Sequence, residues 1–368
     1  MNVIVLGNGF DLFHDIETSF SSFKIFLEEY IKDPGNPKYD NNIRQSMIDG
    51  FISDHDVKEM YNFIEIITNN REVDKLYPWN SFEQDFLNYC ISLSDSYKRS
   101  YPAAATTKMN TGILYPLSLS TFDSMKKSHS AFSYCFQGYL RSLGTDYSFY
   151  QQFQSVFAKA DLIITFNYTH TYAKYLAQNT KAKIVHIHGN MENTNSITIG
   201  FQHIELEEIK KGDNYLNDID YSADYFFKEN LLSLKEDIAL SKRIQELEPF
   251  FGKVSRIDFL GWSFSKIDSY FSEVILKLIS FPKEGLLSKE EMEKIGKAEL
   301  YIYRHPEYDA KDYLRQQLTQ LIVSSSSSPG NELKVMGSRG IHPIANFIQF
   351  EEVDYKIIKE SEEAKEGL

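Results

Sequence analysis

The stretch that most constrains the fold opens the chain: Met1-Asn-Val-Ile-Val-Leu6-Gly7-Asn8-Gly9-Phe10-Asp11. Val3 to Leu6 is an unbroken apolar run, and a strand without polar alternation is one buried on both faces, as in parallel sheets. It runs into Gly7-Asn8-Gly9, where missing Cβ atoms let the backbone turn sharply and come close to a ligand. Phe20, Phe23, Leu27, Tyr30 and Ile31 then recur at helical spacing, behind Thr18 and Ser19 as capping residues. Strand, glycine turn and helix make an anion cradle, because a helix start offers N–H groups that lack partners. An ordinary tight turn would show the same pattern.

The loop departs from the dinucleotide fingerprint. Leu12 stands where a third glycine belongs, and the acids about 20 residues on, Glu28 and Glu29, fall in a helix rather than at a strand end. Asp11 would repel a phosphate and suits a ribose hydroxyl or a loop N–H better. These departures argue against a standard dehydrogenase.

Asp33-Pro34-Gly35-Asn36-Pro37 stops the first helix. From Asn41 to about Gln154 the pattern is helical, with stretches at Val57–Ile67, Phe82–Leu93 and Ser130–Leu143 and a polar loop at Tyr101–Leu119. Trp79 and Phe82 read as a packing pair at a helix start, with Glu83 favouring the helix dipole. Strand signals return at Asp161–Phe166, Lys183–His188, Ile197–Phe201, Arg256–Leu260 and Ala298–Tyr303. Helical segments stand at Thr171–Gln178, Asp224–Leu247, Asp268–Ile279 and Asp309–Ile322. This alternation predicts an α/β fold: a Rossmann-like, mostly parallel sheet with helices on both faces, and a large helical insertion at about 40–150 after the first strand–helix unit. Residues 1–325 are expected to form the core, with 326–368 as a C-terminal extension. Within that extension, Leu333–Met336 and Phe347–Phe350 read either as edge strands or as packed tail.

A net charge of −13 opposes non-specific binding to nucleic acid or anionic membranes. Two cysteines, Cys90 and Cys135, build neither a disulfide framework nor a cysteine zinc site, and a reducing, cytoplasmic setting fits. No apolar stretch reaches the length of a membrane span, and none follows a basic leader.

Ligands of parallel sheets lie beyond the carboxyl ends of the strands. Four predicted strands end in polar sequences: Gly7-Asn8-Gly9-Phe10-Asp11, Asn167-Tyr168-Thr169-His170-Thr171, His186-Ile187-His188-Gly189, and Gly261-Trp262-Ser263 running on to Asp268. Opening to one side, they would build a pocket. Each also has a plainer reading. Asn167 and Thr169, like Ser263 and Asp268, are suitable helix caps. His186 and His188 alternate on a strand and so share a face; with no third ligand at metal spacing, one is expected to meet a ligand and the other to pack. No metal is required.

At these strand ends the sequence resembles the bacteriophage abortive-infection AbiH family. The matching pieces are Gly7-Asn-Gly-Phe-Asp11-Leu with Thr18-Ser19-Phe20, Trp79-x-x-Phe82-Glu83, Phe166-Asn-Tyr-Thr169, His186-Ile-His-Gly189, and Gly261-x-Ser-Phe264 with Asp268 and Tyr270-Phe271. The resemblance implies defence against phage through death or arrest of the infected cell, answering a phage-derived trigger. More distantly, the same order of motifs is similar to the sirtuin-like NAD-consuming proteins. That similarity implies a sirtuin-like core. Asn167 and His188 would act on the nicotinamide ribose, and Gly7, Asn8, Gly9, Phe10, Asp11, Thr169, Gly261, Ser263 and Asp268 would line the cofactor. Thr169 stands where that group usually carries an acid, and two cysteines cannot supply the four-cysteine module of the deacylases. Three functions follow: hydrolysis of NAD or a related nucleotide at the glycosidic bond, a nucleotide-binding switch without turnover, and, least supported, action on nucleic acid. The sequence sets no oligomeric state.

Overall fold

The computed structural model describes residues 1–36, 52–68, 79, 81–86, 88–89, 131–144, 147–178, 181–192, 197, 237–262, 270–280, 297–304, 336–337, 340–341 and 349–354. In chain order the elements begin with β1 (Asn2–Leu6), α1 (Asn8–Phe13), α2 (Phe20–Lys32), α3 (Asp54–Ile67), helical residues 131–142 and α4 (Gln151–Phe157). They continue with β2 (Leu162–Thr165), a 3-10 helix (Thr171–Gln178), β3 (Lys183–His186), α5 (Asp237–Gln245), β4 (Arg256–Leu260) and α6 (Tyr270–Ile279). Last come β5 (Glu299–Arg304), β6 (Met336–Gly337), β7 (Gly340–Ile341) and β8 (Gln349–Asp354). The predicted strand at 197–201 lies outside the described residues except for Ile197, and the predicted helix at 309–322 lies wholly outside them.

Chain contacts divide the protein into two units. The first comprises Met1–Glu17, Thr145–Asn190 and Ser241–Leu368. Its sheet has six strands in the order β3-β2-β1-β4-β5-β8, and every neighbouring pair is parallel. The protein is therefore α/β. Val3 to Leu6 are at most 1% exposed, as an uninterrupted apolar strand between two others requires. Side chains alternate across the sheet. Ile4, Leu6, Ile163 and Leu260 join Phe10, Phe13, Phe153, Phe157 and Tyr175 in one core. On the other face Phe259 stacks on Trp262, against which Phe271 of α6 packs edge-on. The stretch near Phe347–Phe350, open between two readings, resolves as an edge strand: Gln349–Asp354 pairs with β5 in parallel.

The second unit comprises Thr18–Gly144 and Met191–Leu240. Ser19 caps α2 as expected, accepting the N–H of Ser22 at 3.1 Å. Ser53 and Asp56 cap α3 reciprocally. Lys24 and Glu65 pair at 2.6 Å between these two helices. Beside them is an aromatic cluster in which Phe20 stacks on Phe82 at 4.0 Å and Trp79 meets Phe136 at 4.6 Å. Trp79 and Phe82 do pack together, and the indole N–H donates to the Thr18 carbonyl at 2.6 Å.

Two local expectations need correction. The chain was read as an open loop after Leu6, yet it enters α1 directly, with Gly7 as an extended N-cap. Asn and Gly are poor helix formers, but burial of Phe10 and Phe13 outweighs that preference. The strand expected to reach His188 stops at His186. The helical segment expected at Thr171–Gln178 is present with those bounds, as a 3-10 helix.

Candidate functional site

Backbone hydrogen bonds carry the pairing one step past the strand ends. Gly261 N–H donates to Tyr303 O at 3.3 Å, Gly7 N–H to Leu260 O at 3.0 Å, Phe166 N–H to Leu6 O at 2.9 Å, and Ile187 N–H to Thr165 O at 2.8 Å. The ends of β4, β1, β2 and β3 therefore stand in a row along the carboxyl edge. The strand order reverses between β1 and β4, and such a reversal opens the crevice where ligands of these sheets bind.

The glycines at this reversal serve a different approach from the one expected. A Cβ on Gly7 would lie 2.3 Å from Trp262 Cα, and one on Gly9 would lie 2.8 Å from Gly261 O. Gly261 has a φ of +64°, and a Cβ there would lie 2.1 Å from Phe10 N. Gly9 N–H donates to Gly261 O at 2.9 Å. The Cβ positions are thus filled by the facing backbone. These glycines let β1 and β4 touch as they diverge.

Asp11 lies one turn into α1, and its carboxylate is 1% exposed. Its two oxygens accept the hydroxyls of Thr169 and Thr171, both at 2.6 Å. Burial pushes its pKa up to about 6, against the pull of the Thr169, Thr171 and Asn167 side chains, which favour the charged form. Asn167 is 4% exposed. Its carboxamide sits beside Asp11, yet neither Nδ2 nor Oδ1 makes a hydrogen bond of normal geometry, and both are shut off from solvent. Its backbone is well held: the N–H donates to Thr165 Oγ1 at 3.0 Å.

β3 supplies the third side. The Asn167 carbonyl can only accept, so His186 presents Nδ1–H to it at 3.4 Å and Nε2 accepts the Tyr172 hydroxyl at 2.8 Å. Burial, with His170 alongside, pushes His186 down to about 4, so the ring is neutral. His188 lies past the end of β3, buried, with its ring edge-on to Phe166 at 5.2 Å. Arg243 of α5 donates to the Ile187 carbonyl, between the two histidines.

The structure thus joins Asp11, Thr169 and Asn167 in one cluster, and Gly7, Gly9 and Gly261 in one backbone junction. Asn8 is half-buried at the start of α1. Phe10 is fully buried, and its ring packs on Phe153, Phe157 and Tyr175, so its side chain belongs to the core. Ser263 and Asp268 lie outside the described residues. Sequence reasoning missed Tyr172, Arg243 and the role of Thr171; only the alternation Asn167-x-Thr169-x-Thr171 hinted at a shared partner. It also missed His14, buried with Nδ1–H on Phe10 O and Nε2 accepting Tyr175 OH, both at 2.6 Å. Among the described residues no three metal-binding side chains are grouped, and no helix is long and apolar enough to cross a membrane.

No curated protein and no solved structure matches the chain. Residues 3–287, which take in all four strand ends of the site, match the family model for bacteriophage abortive infection, AbiH. The chain belongs to the AbiH family of bacteriophage abortive-infection proteins.

Proposed function

We propose that this abortive-infection protein binds a nucleotide at the carboxyl edge of its sheet and hydrolyses NAD, or a close relative, at the glycosidic bond. The observation that carries the reading is the Asn167 carboxamide, buried beside Asp11 with neither polar atom in a hydrogen bond of normal geometry. Native proteins pair nearly all buried polar groups, so an amide held ready in this way is fitted to a ligand or a reacting water. The strand order 3-2-1-4-5 followed by one more parallel strand supports it, since sheets of this order bind dinucleotides at the reversal point.

In this reading Asn167 orients water, and His188 takes a proton from that water or from a ribose hydroxyl. The bond between C1 of the ribose and the base nitrogen breaks, its electron pair leaving with the base. The water oxygen bonds to C1 and keeps one proton as the new hydroxyl; the single proton it sheds passes to solvent, by way of His188 where the imidazole has activated the water. Such general-base help contributes about 10²–10⁴-fold. Loss of the cofactor after a phage signal would then halt the cell.

The test incubates purified protein with NAD, NADP and ATP and follows products by chromatography. Release of free base from a nicotinamide nucleotide, lost in Asn167→Ala, is the expected result. Binding without product replaces hydrolysis with a nucleotide-operated switch. Absence of both binding and product overturns the reading.

A further inference from the structure

We propose that the site selects a cationic glycoside, the oxidised nicotinamide ribose, over its neutral reduced counterpart through the buried charge of Asp11. The inference rests on the nucleotide reading above and names the chemical form that the site takes.

Asp11 is unusual in what it lacks as a partner. Both oxygens accept threonine hydroxyls. Among the described residues no Lys, Arg or His lies within ion-pair distance. Neutral hydroxyls stabilise the carboxylate without cancelling its charge. In a low-dielectric surrounding that charge acts on its neighbourhood much more strongly than it would in water. The carboxamide of Asn167, without a hydrogen bond of normal geometry, stands beside it and marks the side on which a ligand would be met.

A negative potential there repels the phosphates of a dinucleotide and places them away from this corner. It attracts a pyridinium ring, and equally the positive charge that develops on the ribose as the glycosidic bond breaks. NAD and NADH carry the same sugars and phosphates, so the ring charge is the main property this corner can read. No direct contact with the carboxylate is needed.

The titratable groups around Asp11 leave its charge in place. Tyr147 is pushed up to about 12 by burial, with Asp11 itself contributing, and stays neutral. His14, on the same helix, has both ring nitrogens engaged. His186 is held neutral. Among the described residues, His170 and His188 also stand at the adjacent strand ends.

The experiment measures equilibrium binding of carba-NAD, which keeps the cationic ring but resists hydrolysis, against NADH. Full-length wild type and Asp11→Asn are compared between about pH 5 and pH 8. Wild type at the upper end should prefer carba-NAD by about tenfold or more. The preference should narrow as the carboxylate takes a proton near pH 6, and Asp11→Asn should show little preference at any pH. A pH-dependent preference that persists in Asp11→Asn belongs to the histidines and overturns the proposal. Should Asp11→Asn fail to fold, the wild-type series decides, because a preference that is flat with pH overturns it equally. Equal binding of both ligands overturns the inference and leaves the nucleotide reading standing. Binding of neither overturns both.

Discussion

Two corners of the same sheet edge achieve close packing in opposite ways. Where β1 and β4 diverge, Gly7, Gly9 and Gly261 bring backbone against backbone, with N–H and C=O paired and no side chain between them. One strand over, between β1 and β2, the gap is filled by polar side chains, and they are not all satisfied: a carboxylate faces two hydroxyls, and a carboxamide makes no proper hydrogen bond. The first corner has everything a stable junction needs and presents only backbone. The second gives up stability to hold a charge and an amide in fixed positions. Strain and unpaired polarity of that kind concentrate where a protein does its work.

The largest expected effect falls on the first corner. Gly261→Ala puts a methyl 2.1 Å from Phe10 N at a φ of +64°, and both faults lie in backbone that cannot swing aside. Loss of at least about 3 kcal/mol is expected, read as a fall in the unfolding midpoint. Gly9→Val should fail in the same way, by breaking the junction. A Gly261→Ala protein with unchanged stability would remove the distinction between the corners.

Next comes Asn167→Ala. It should lower turnover by about 10²-fold or more, while stability holds or rises, because deleting a buried polar group that lacks a partner relieves a desolvation penalty. A stability loss comparable to that of Gly261→Ala would make Asn167 one more packing residue.

The two corners also differ in how readily they are read from sequence. Val3–Leu6 announces itself, since four apolar residues in a row before a glycine leave few alternatives, and Arg256–Leu260 follows from Ile257, Phe259 and Leu260 ahead of Gly261. The four polar strand ends are legible for the same reason, as whatever follows such runs. The partners are not. Thr171 meets Asp11 across 160 residues of chain, and no local pattern encodes that pairing. Asp11 read as awkward because it was weighed against a phosphate, whereas its neighbours are hydroxyls. α1 was hidden by Gly and Asn, whose weak helix propensity is overruled only by tertiary burial of Phe10 and Phe13. The reason for glycine at positions 7 and 9 lies in a loop some 250 residues on, so close approach was predictable and its object was not.

A third test uses pH. Asp11 has its folded pKa raised from the ordinary carboxylate value to about 6. Its contribution to stability is therefore complete below the unfolded value near 4 and is lost as pH rises through about 6. Asp11→Asn removes that dependence. The stability difference between variant and wild type should swing towards the variant by roughly 3 kcal/mol from pH 4 to pH 7, measured by denaturant unfolding across the range. A constant difference would place Asp11 in a more polar setting than its burial implies.

His186 gives the smallest and most discriminating effect. Its pKa is lowered, to about 4, so its contribution runs the other way: present above the unfolded value near 6.5, lost as pH falls towards 4. In wild type the two slopes oppose each other between pH 4 and 6, and the net change is small. Each single variant should expose the other's slope, with His186→Gln losing about 1–2 kcal/mol of acid sensitivity, less than Asp11 because the ring is partly exposed. The same substitution tests positioning. His186 touches Asn167 through its carbonyl, a contact that a glutamine amide can replace and an alanine cannot. Turnover should therefore drop about tenfold in His186→Ala with little change in nucleotide affinity, and recover in part in His186→Gln. Equal losses in the two variants would mean that the ring acts by bulk alone. Full activity in His186→Ala would show that the Asn167 carboxamide is held in place by its own strand.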